Sequence, residues 1–274
     1  MKILSFNPCL EAETNRLCIG RAPDRGDLEA IRNADAVILP QGCKKELYFM
    51  ARENCPNVFP NYDAFYGYPG KTGQIELFER TGVAFPHSVI FPDVASFRRS
   101  WQGPPVPLPC VFKFSWGGEG KFVFFLESHE DFLHCMEKAE TWEEKGLRGF
   151  LFQEYVPTGG RSLRVVVMGR HIYSYWRVQQ GKEKFYTNLS KGASIDRDSY
   201  PELQQKGGNA VRLFSCKTGI NLAGLDFLFD VDSEKPVPLF LEINYYFRYR
   251  GLGTPDTYFK LLEEAVLDWL ETLT

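Results

Sequence analysis

The chain has 274 residues, with 32 basic against 35 acidic side chains, a formal charge of −3 and 44% hydrophobic residues. That composition buries a sizeable core and excludes disorder, while the acidic balance without a basic run argues against sequence-independent nucleic-acid binding. No apolar run approaches the roughly 20 residues that span a bilayer, and Lys2 is followed by only a short run before Asn7-Pro8. The expectation is therefore a cytoplasmic protein without membrane or nucleic-acid partners. Seven scattered cysteines without a CxxC read as thiols in a reducing compartment. His129 and His134 sit at i and i+5, about 140° apart on a helix, so they do not share a metal.

In chain order, Ile3–Phe6 reads as a strand, the region around Leu28–Asn33 as a helix and Ala36–Leu39 as a buried strand. A helix carrying Leu47, Met50 and Ala51 follows. Alternating β and α signals predict a parallel sheet in a short unit over 1–66. Asn61–Gly70, rich in Tyr, Gly and Pro, reads as a linker.

The second segment, 67–150, opens with a helix over Gly73–Arg80 that Gly82 stops, then a strand over Val83–Phe91. Pro92–Pro109 carries five prolines and reads mostly as loop. Val111–Ser115 and Lys121–Leu126 are strands flanking Trp116-Gly117-Gly118-Glu119-Gly120. Ser128 then opens a helix with Asp131 as its capping-box partner. The third segment, 151–274, is strand-rich: Phe150–Tyr155, a hairpin Leu163–Met168 and Ile172–Arg177, and two late strands, Ala223–Phe229 and Pro238–Tyr245. Helices follow Tyr200-Pro201 and run over Asp256–Leu273.

Chemistry concentrates in two places. Gly117, Gly118 and Gly120 lack a Cβ, so backbone amides there can approach phosphate oxygens; taken alone, the run is equally a flexible hairpin tip. Lys113 lies in the apolar strand Val111-Phe112-Lys113-Phe114, where an ammonium is costly to bury without an anionic partner such as a nucleotide phosphate. Near the C-terminus, period two places Leu239, Leu241 and Ile243 on one face and Glu242 with Asn244 on the other. Asp226 interrupts another apolar strand. Asp, Glu and Asn oxygens from neighbouring strands suit magnesium held jointly with phosphates, or else are satisfied core polar groups. Gly70-Lys71-Thr72 lacks the upstream glycine of a Walker loop.

These parts, in this order, resemble a RimK-type ATP-grasp ligase, related to glutathione synthetase and D-alanine–D-alanine ligase, from Lys71 to the C-terminus. The resemblance runs through Lys71, Val83–Ser88, Pro109–Lys113, the glycine loop, Phe152–Val156, Ser162-Leu163-Arg164, Arg177, Asn188-Leu189 with Lys191-Gly192, Gly224–Asp226 and Glu242–Asn244. It implies an α/β (α+β) fold: a short N-terminal unit and two α+β subdomains, 67–150 and 151–274, clasping ATP. It further implies that Lys71 and Lys113 grip phosphates under Gly117, Gly118 and Gly120. Gln153, Glu154, Tyr155 and Val156 form the adenine-reading hinge, Asp226, Glu242 and Asn244 hold magnesium, and Arg177 and Asn188 face the transferred phosphoryl group. The activity implied is ATP-dependent joining of a carboxylate to an amine or thiol, on small-molecule or peptide substrates, through an acyl phosphate. Alternatives are a small-molecule kinase of the same fold and an ATP-binding module without turnover; a homo-oligomer stays open.

Departures from the pattern matter. Ser162 stands for an aspartate, Tyr186 for an arginine, and Tyr245–Gly251 replaces the loop that borders the acceptor site. Arg164, Tyr186, Arg248 and Arg250 are accordingly the candidate substrate residues. If the loop is extended, Arg248 and Arg250 share one face and Phe247 and Tyr249 the other.

Overall fold

The computed structural model describes residues 1–273 apart from Glu119, 181–184, Tyr186, Asn188, Ser190 and Lys191. Three sheets organise the described residues. The first is parallel, in the order β2-β1-β3-β4, from β1 (Ile3–Ser5), β2 (Thr14–Asn15), β3 (Ala36–Ile38) and β4 (Val58–Phe59). Helix α1 (Arg25–Arg32) connects β2 to β3 and α2 (Lys45–Asn54) connects β3 to β4. Strands β1 and β3 and both helices are where the hydrophobic pattern puts them. The two-residue strands β2 and β4 are too short to show a period.

Asn61–Gly70 is not an open linker. It contains α3 (Asp63–Gly67), and Tyr62 is fully buried, with its backbone N–H donating to the Tyr48 hydroxyl at 2.9 Å. Aromatic side chains spaced for packing, rather than for solvent, make this stretch part of the core.

Helix α4 (Gly70–Thr81) ends at Gly82 in a left-handed conformation, φ 69°. The second sheet is antiparallel, β5-β8-β6-β7: β5 (Ser88–Phe91), β6 (Cys110–Phe114), β7 (Val123–Leu126) and β8 (Phe150–Glu154). Strand β5 is shorter than Val83–Phe91, since Pro86 has no N–H for a ladder. The proline-rich stretch hides α5 (Val94–Ser100), capped by the Asp93 carboxylate, which accepts from Ser96 N at 2.6 Å. No proline interrupts 94–100, so its five prolines bracket a helix instead of preventing one. The Ser128–Asp131 capping box opens α6 (His129–Glu144) as expected. A cluster of phenylalanines fills the space between this sheet and α5 and α6.

The third sheet is antiparallel, β11-β10-β9-β12-β13: β9 (Arg161–Met168), β10 (His171–Val178), β11 (Ser194–Asp196), β12 (Leu222–Leu228) and β13 (Leu239–Asn244). Helix α7 (Pro201–Thr218) and the C-terminal helix α8 (Pro255–Glu271) pack against it.

A β-bulge corrects the face assignment in β13. Asp226 pairs with Glu242 but Phe227 pairs with Phe240, so Leu241 is the extra residue. Phe240 and Ile243 therefore enter the core, and Leu241 joins Glu242 at the cleft wall.

Candidate active site

Lys113 sits on the central part of the second sheet and is 8% exposed. Its Nζ donates to Gln153 Oε1 at 2.6 Å; Gln153 Nε2 donates to Ser88 Oγ, and Ser88 Oγ to Pro86 O, each at 2.8 Å. Burial pulls the Lys113 pKa down to about 8, and Glu242 nearby works in the opposite direction. Lys71, at the start of α4, donates through Nζ to Gly117 O at 2.7 Å and through its backbone N to Ser115 O at 2.7 Å. Burial lowers its pKa as well, again opposed by Glu242.

Both lysines line a cleft, partly open to solvent, together with Gly120, Gln153, Glu154, Tyr155, Val156 and Glu242. This brings most of the residues assigned to ATP into one place. The Gln153 side chain is 1% exposed and serves Lys113, so any base reading falls to the residues after it. Glu154 is exposed, and the Tyr155 ring packs at 4.7 Å on Phe125, which in turn stacks on Phe185. Phe185, Thr187 and Leu241 also line the cleft and carry no sequence motif. Leu241 arrives there through the bulge, and Phe185 from a connection without periodicity.

A second cleft shares Glu242 with the first and reaches Gly118. Its floor is a row of directly opposed residues across four strands: Tyr175, Arg164, Asp226 and Glu242. Arg164 forks onto Asp226, Nε to Oδ1 at 2.5 Å and Nη2 to Oδ2 at 2.8 Å; Arg177 Nη1 and Asn244 Nδ2 donate to Oδ2 at 3.3 and 3.1 Å. Gly224 makes this possible, because a Cβ there would lie 2.6 Å from Arg164 Nη1. Arg164 is therefore a buried partner of Asp226 as well as a wall of this cleft. Burial raises and the two guanidinium groups lower the Asp226 pKa, and the net direction is down, keeping it ionised.

The donor set fits a magnesium ion. Asp226 Oδ1 receives one guanidinium N–H and retains a free lone-pair direction. Asn244 spends its NH₂ on Asp226, which leaves its carbonyl oxygen available. The Glu242 carboxylate is without a hydrogen bond among the described residues and faces both lysines electrostatically. Hard oxygen ligands of this kind are what magnesium takes.

The loop after Asn244 is not extended. Tyr245 is buried with its ring 4.7 Å from Phe65, Phe247 enters the core against Tyr258, and Tyr249–Gly251 forms a 3₁₀ turn. Even so, Arg248 and Arg250 line the second cleft with Arg164 and Arg177, so four arginines face two carboxylates. Tyr175, which the sequence did not single out, is the ring on which Gly251 rests. Ser162, in the position of the missing aspartate, shares a 2.6 Å hydrogen bond with the Thr187 hydroxyl. Asn188 and Tyr186 lie outside the described residues. Among the described residues, no group of three His, Cys, Asp or Glu is placed to hold a metal, and no helix is long and apolar enough to cross a membrane.

Comparison with known proteins accords with this geometry. Residues 71–252 match the family model described as a RimK-like ATP-grasp domain. A probable alpha-L-glutamate ligase of Marinomonas sp. is 28% identical over 181 residues, covering 64% of this chain and 54% of that protein. The chain spans about half the length of the curated relatives it matches. The D-alanine–D-alanine ligase of Bacillus anthracis superposes with a TM-score of 0.63 at 11% identity, covering 100% of this chain and 98% of that one. A RimK domain ATP-grasp protein of Sphaerobacter thermophilus does so at 0.59 and 13%, covering 97% and 100%. At these identities the two structures speak for the fold alone. With two-thirds of its length matched by the family model, and the lysines, glycine loop and acidic strands in one place, the chain belongs to the RimK-like ATP-grasp family.

Proposed function

We propose that the protein is an ATP-dependent carboxylate–amine ligase that works through an acyl phosphate, with an acidic amino acid of the glutamate type as one substrate. The observation that carries this reading is the junction of the two clefts at Glu242: lysines and the glycine loop on one side, four arginines on the other. The names of the curated relatives, probable alpha-L-glutamate ligases, support the substrate class. On this reading 1–66, 67–150 and 151–274 act as three lobes around the nucleotide.

A carboxylate oxygen of the first substrate attacks the γ-phosphorus of ATP, and the bond to the β-phosphate oxygen breaks, releasing ADP. The amine nitrogen of the second substrate then attacks the acyl carbon; phosphate departs with the C–O bond electrons, and the amine loses a proton to solvent. Lys113 and Lys71 neutralise phosphate charge, and the Gly117, Gly118 and Gly120 amides cover it. Arg177, held by Asp226, faces the transferred group, a role the family pattern also gives to Asn188. Arg248 and Arg250 hold the anionic co-substrate. Asp226, Glu242 and Asn244 would hold magnesium, which would supply further charge neutralisation on the phosphates. No protein nucleophile is required.

The test is a screen of amino acids, acidic peptides and small polyols for ADP release, with mass detection of the product and hydroxylamine to trap the acyl phosphate as a hydroxamate. A phosphorylated polyol would establish the kinase alternative instead. ATP binding without consumption across the panel would establish the non-catalytic one.

A further inference from the structure

Helix α4 carries Lys71 in its first turn and lies along β13, the edge strand of the third sheet. Three residues after Lys71, the Gln74 side chain meets the β13 backbone. Its Nε2 donates to Ile243 O at 2.9 Å, and Ile243 N donates to its Oε1 at 2.8 Å. An edge strand has outward N–H and C=O groups with no neighbouring strand. Gln74 supplies both partners to one residue, as an added strand would. Among the described residues, the other backbone hydrogen bond on this outer edge is Phe240 N donating to Ala84 O at 2.8 Å, below the bulge.

Ile243 stands between Glu242 and Asn244, and the bulge at Leu241 interrupts the ladder just before them. Pairing with β12 alone leaves this segment free to pivot about the bulge. Phe78, one turn beyond Gln74, packs on Phe240 with ring centroids 5.4 Å apart, so α4 grips β13 on both sides of the irregularity.

We infer that Gln74 is the positioning residue of the candidate magnesium centre: its amide pins Ile243 so that Glu242 and Asn244 are presented together, in fixed register with Lys71 on the same helix. This rests on the nucleotide–metal reading given above. A primary amide matches a peptide group because it offers one donor and one acceptor side by side. Glutamate at 74 keeps the shape but turns lone pairs toward the Ile243 carbonyl, and methionine removes both hydrogen bonds.

The test uses the full chain with Gln74→Met and the isosteric Gln74→Glu. Mn²⁺ is titrated in the presence of ADP by electron paramagnetic resonance, ADP is titrated without metal by calorimetry, and exchange of the Ile243 amide is followed in the free protein. Both variants should weaken Mn²⁺ binding about tenfold, as loss of one or two neutral hydrogen bonds implies. Gln74→Met should speed Ile243 exchange by a similar factor, whereas Gln74→Glu keeps an acceptor for the Ile243 N–H; both should leave metal-free ADP affinity within about twofold. Unchanged Mn²⁺ affinity in both variants overturns the inference, as does a loss of metal and metal-free nucleotide affinity in equal measure, which would mark Gln74 as general packing. A wild-type protein that binds neither ADP nor Mn²⁺ overturns the nucleotide reading itself.

Discussion

Lys113 sits in an environment far from its intrinsic preference. An ammonium held by one neutral acceptor in a phenylalanine-lined sheet is destabilised, which is why its pKa falls to about 8. A phosphate at the cleft would restore the charge. Nucleotide affinity should therefore be constant below pH 8 and fall as pH rises above it, where the free enzyme must take up a proton to bind. Lys113→Met should weaken ATP binding more than tenfold and abolish that pH dependence; calorimetric titrations between pH 7 and 9.5 measure both. Arg248 and Arg250 are different, since both are exposed on a turn and only their shared cleft suggests a role. Replacing either with Ala should raise the KM for an anionic co-substrate by about 30- to 150-fold, the loss of a charge-assisted contact of about 2–3 kcal/mol, with ATP affinity unchanged.

At the level of elements, the site depends on irregularities more than on regular structure. The β13 bulge turns Leu241 toward the nucleotide cleft while keeping Ile243 in the core. The 3₁₀ turn over Tyr249–Gly251 replaces an extended loop because Gly251 lies flat on Tyr175, where an added Cβ would sit 1.8 Å from Cζ. Gly251→Ala should displace the turn, lowering stability by about 1–3 kcal/mol through overpacking. It should also raise the co-substrate KM while ATP affinity stays near wild type; thermal melts and steady-state kinetics read the two effects separately. The capping signals were local and legible: Ser128 with Asp131 opens α6 as read. Helix α5 was missed because five prolines around it mask a seven-residue segment that is itself free of proline.

At the scale of the whole molecule, the candidate centre brings lysines and carboxylates together across more than 110 positions of sequence: Lys71 and Lys113 from α4 and β6, Asp226 and Glu242 from β12 and β13. Without a cation, Glu242 would confront nucleotide phosphates as a bare like charge, so ATP binding should strengthen with magnesium. Glu242→Gln should reduce turnover by about two or more orders of magnitude and remove the magnesium dependence of ATP binding, with the thermal transition near wild type. Magnesium-dependent ADP release that survives in this variant would sink the metal assignment.

The sequence by itself determined the family and the identity of the charged residues. A lysine in Val111–Phe114, a carboxylate in Leu225–Phe229 and alternating Glu242 and Asn244 are costly in apolar strands unless something anionic or cationic answers them. Period two then put Glu242 and Asn244 on one side of their strand without any tertiary knowledge. Only the tertiary structure decided who answers whom. Arg164 could be read as a substrate residue, yet cross-strand register sets it against Asp226, and Gln153 could be read as part of the adenine hinge, yet its amide serves Lys113. The packing of Asn61–Gly70, the Leu241 bulge and the Gln74–Ile243 clasp are contacts between distant segments. Local sequence records the hydrogen-bonding capacity of each residue, whereas the partner that satisfies it is chosen by the register and packing of the completed fold.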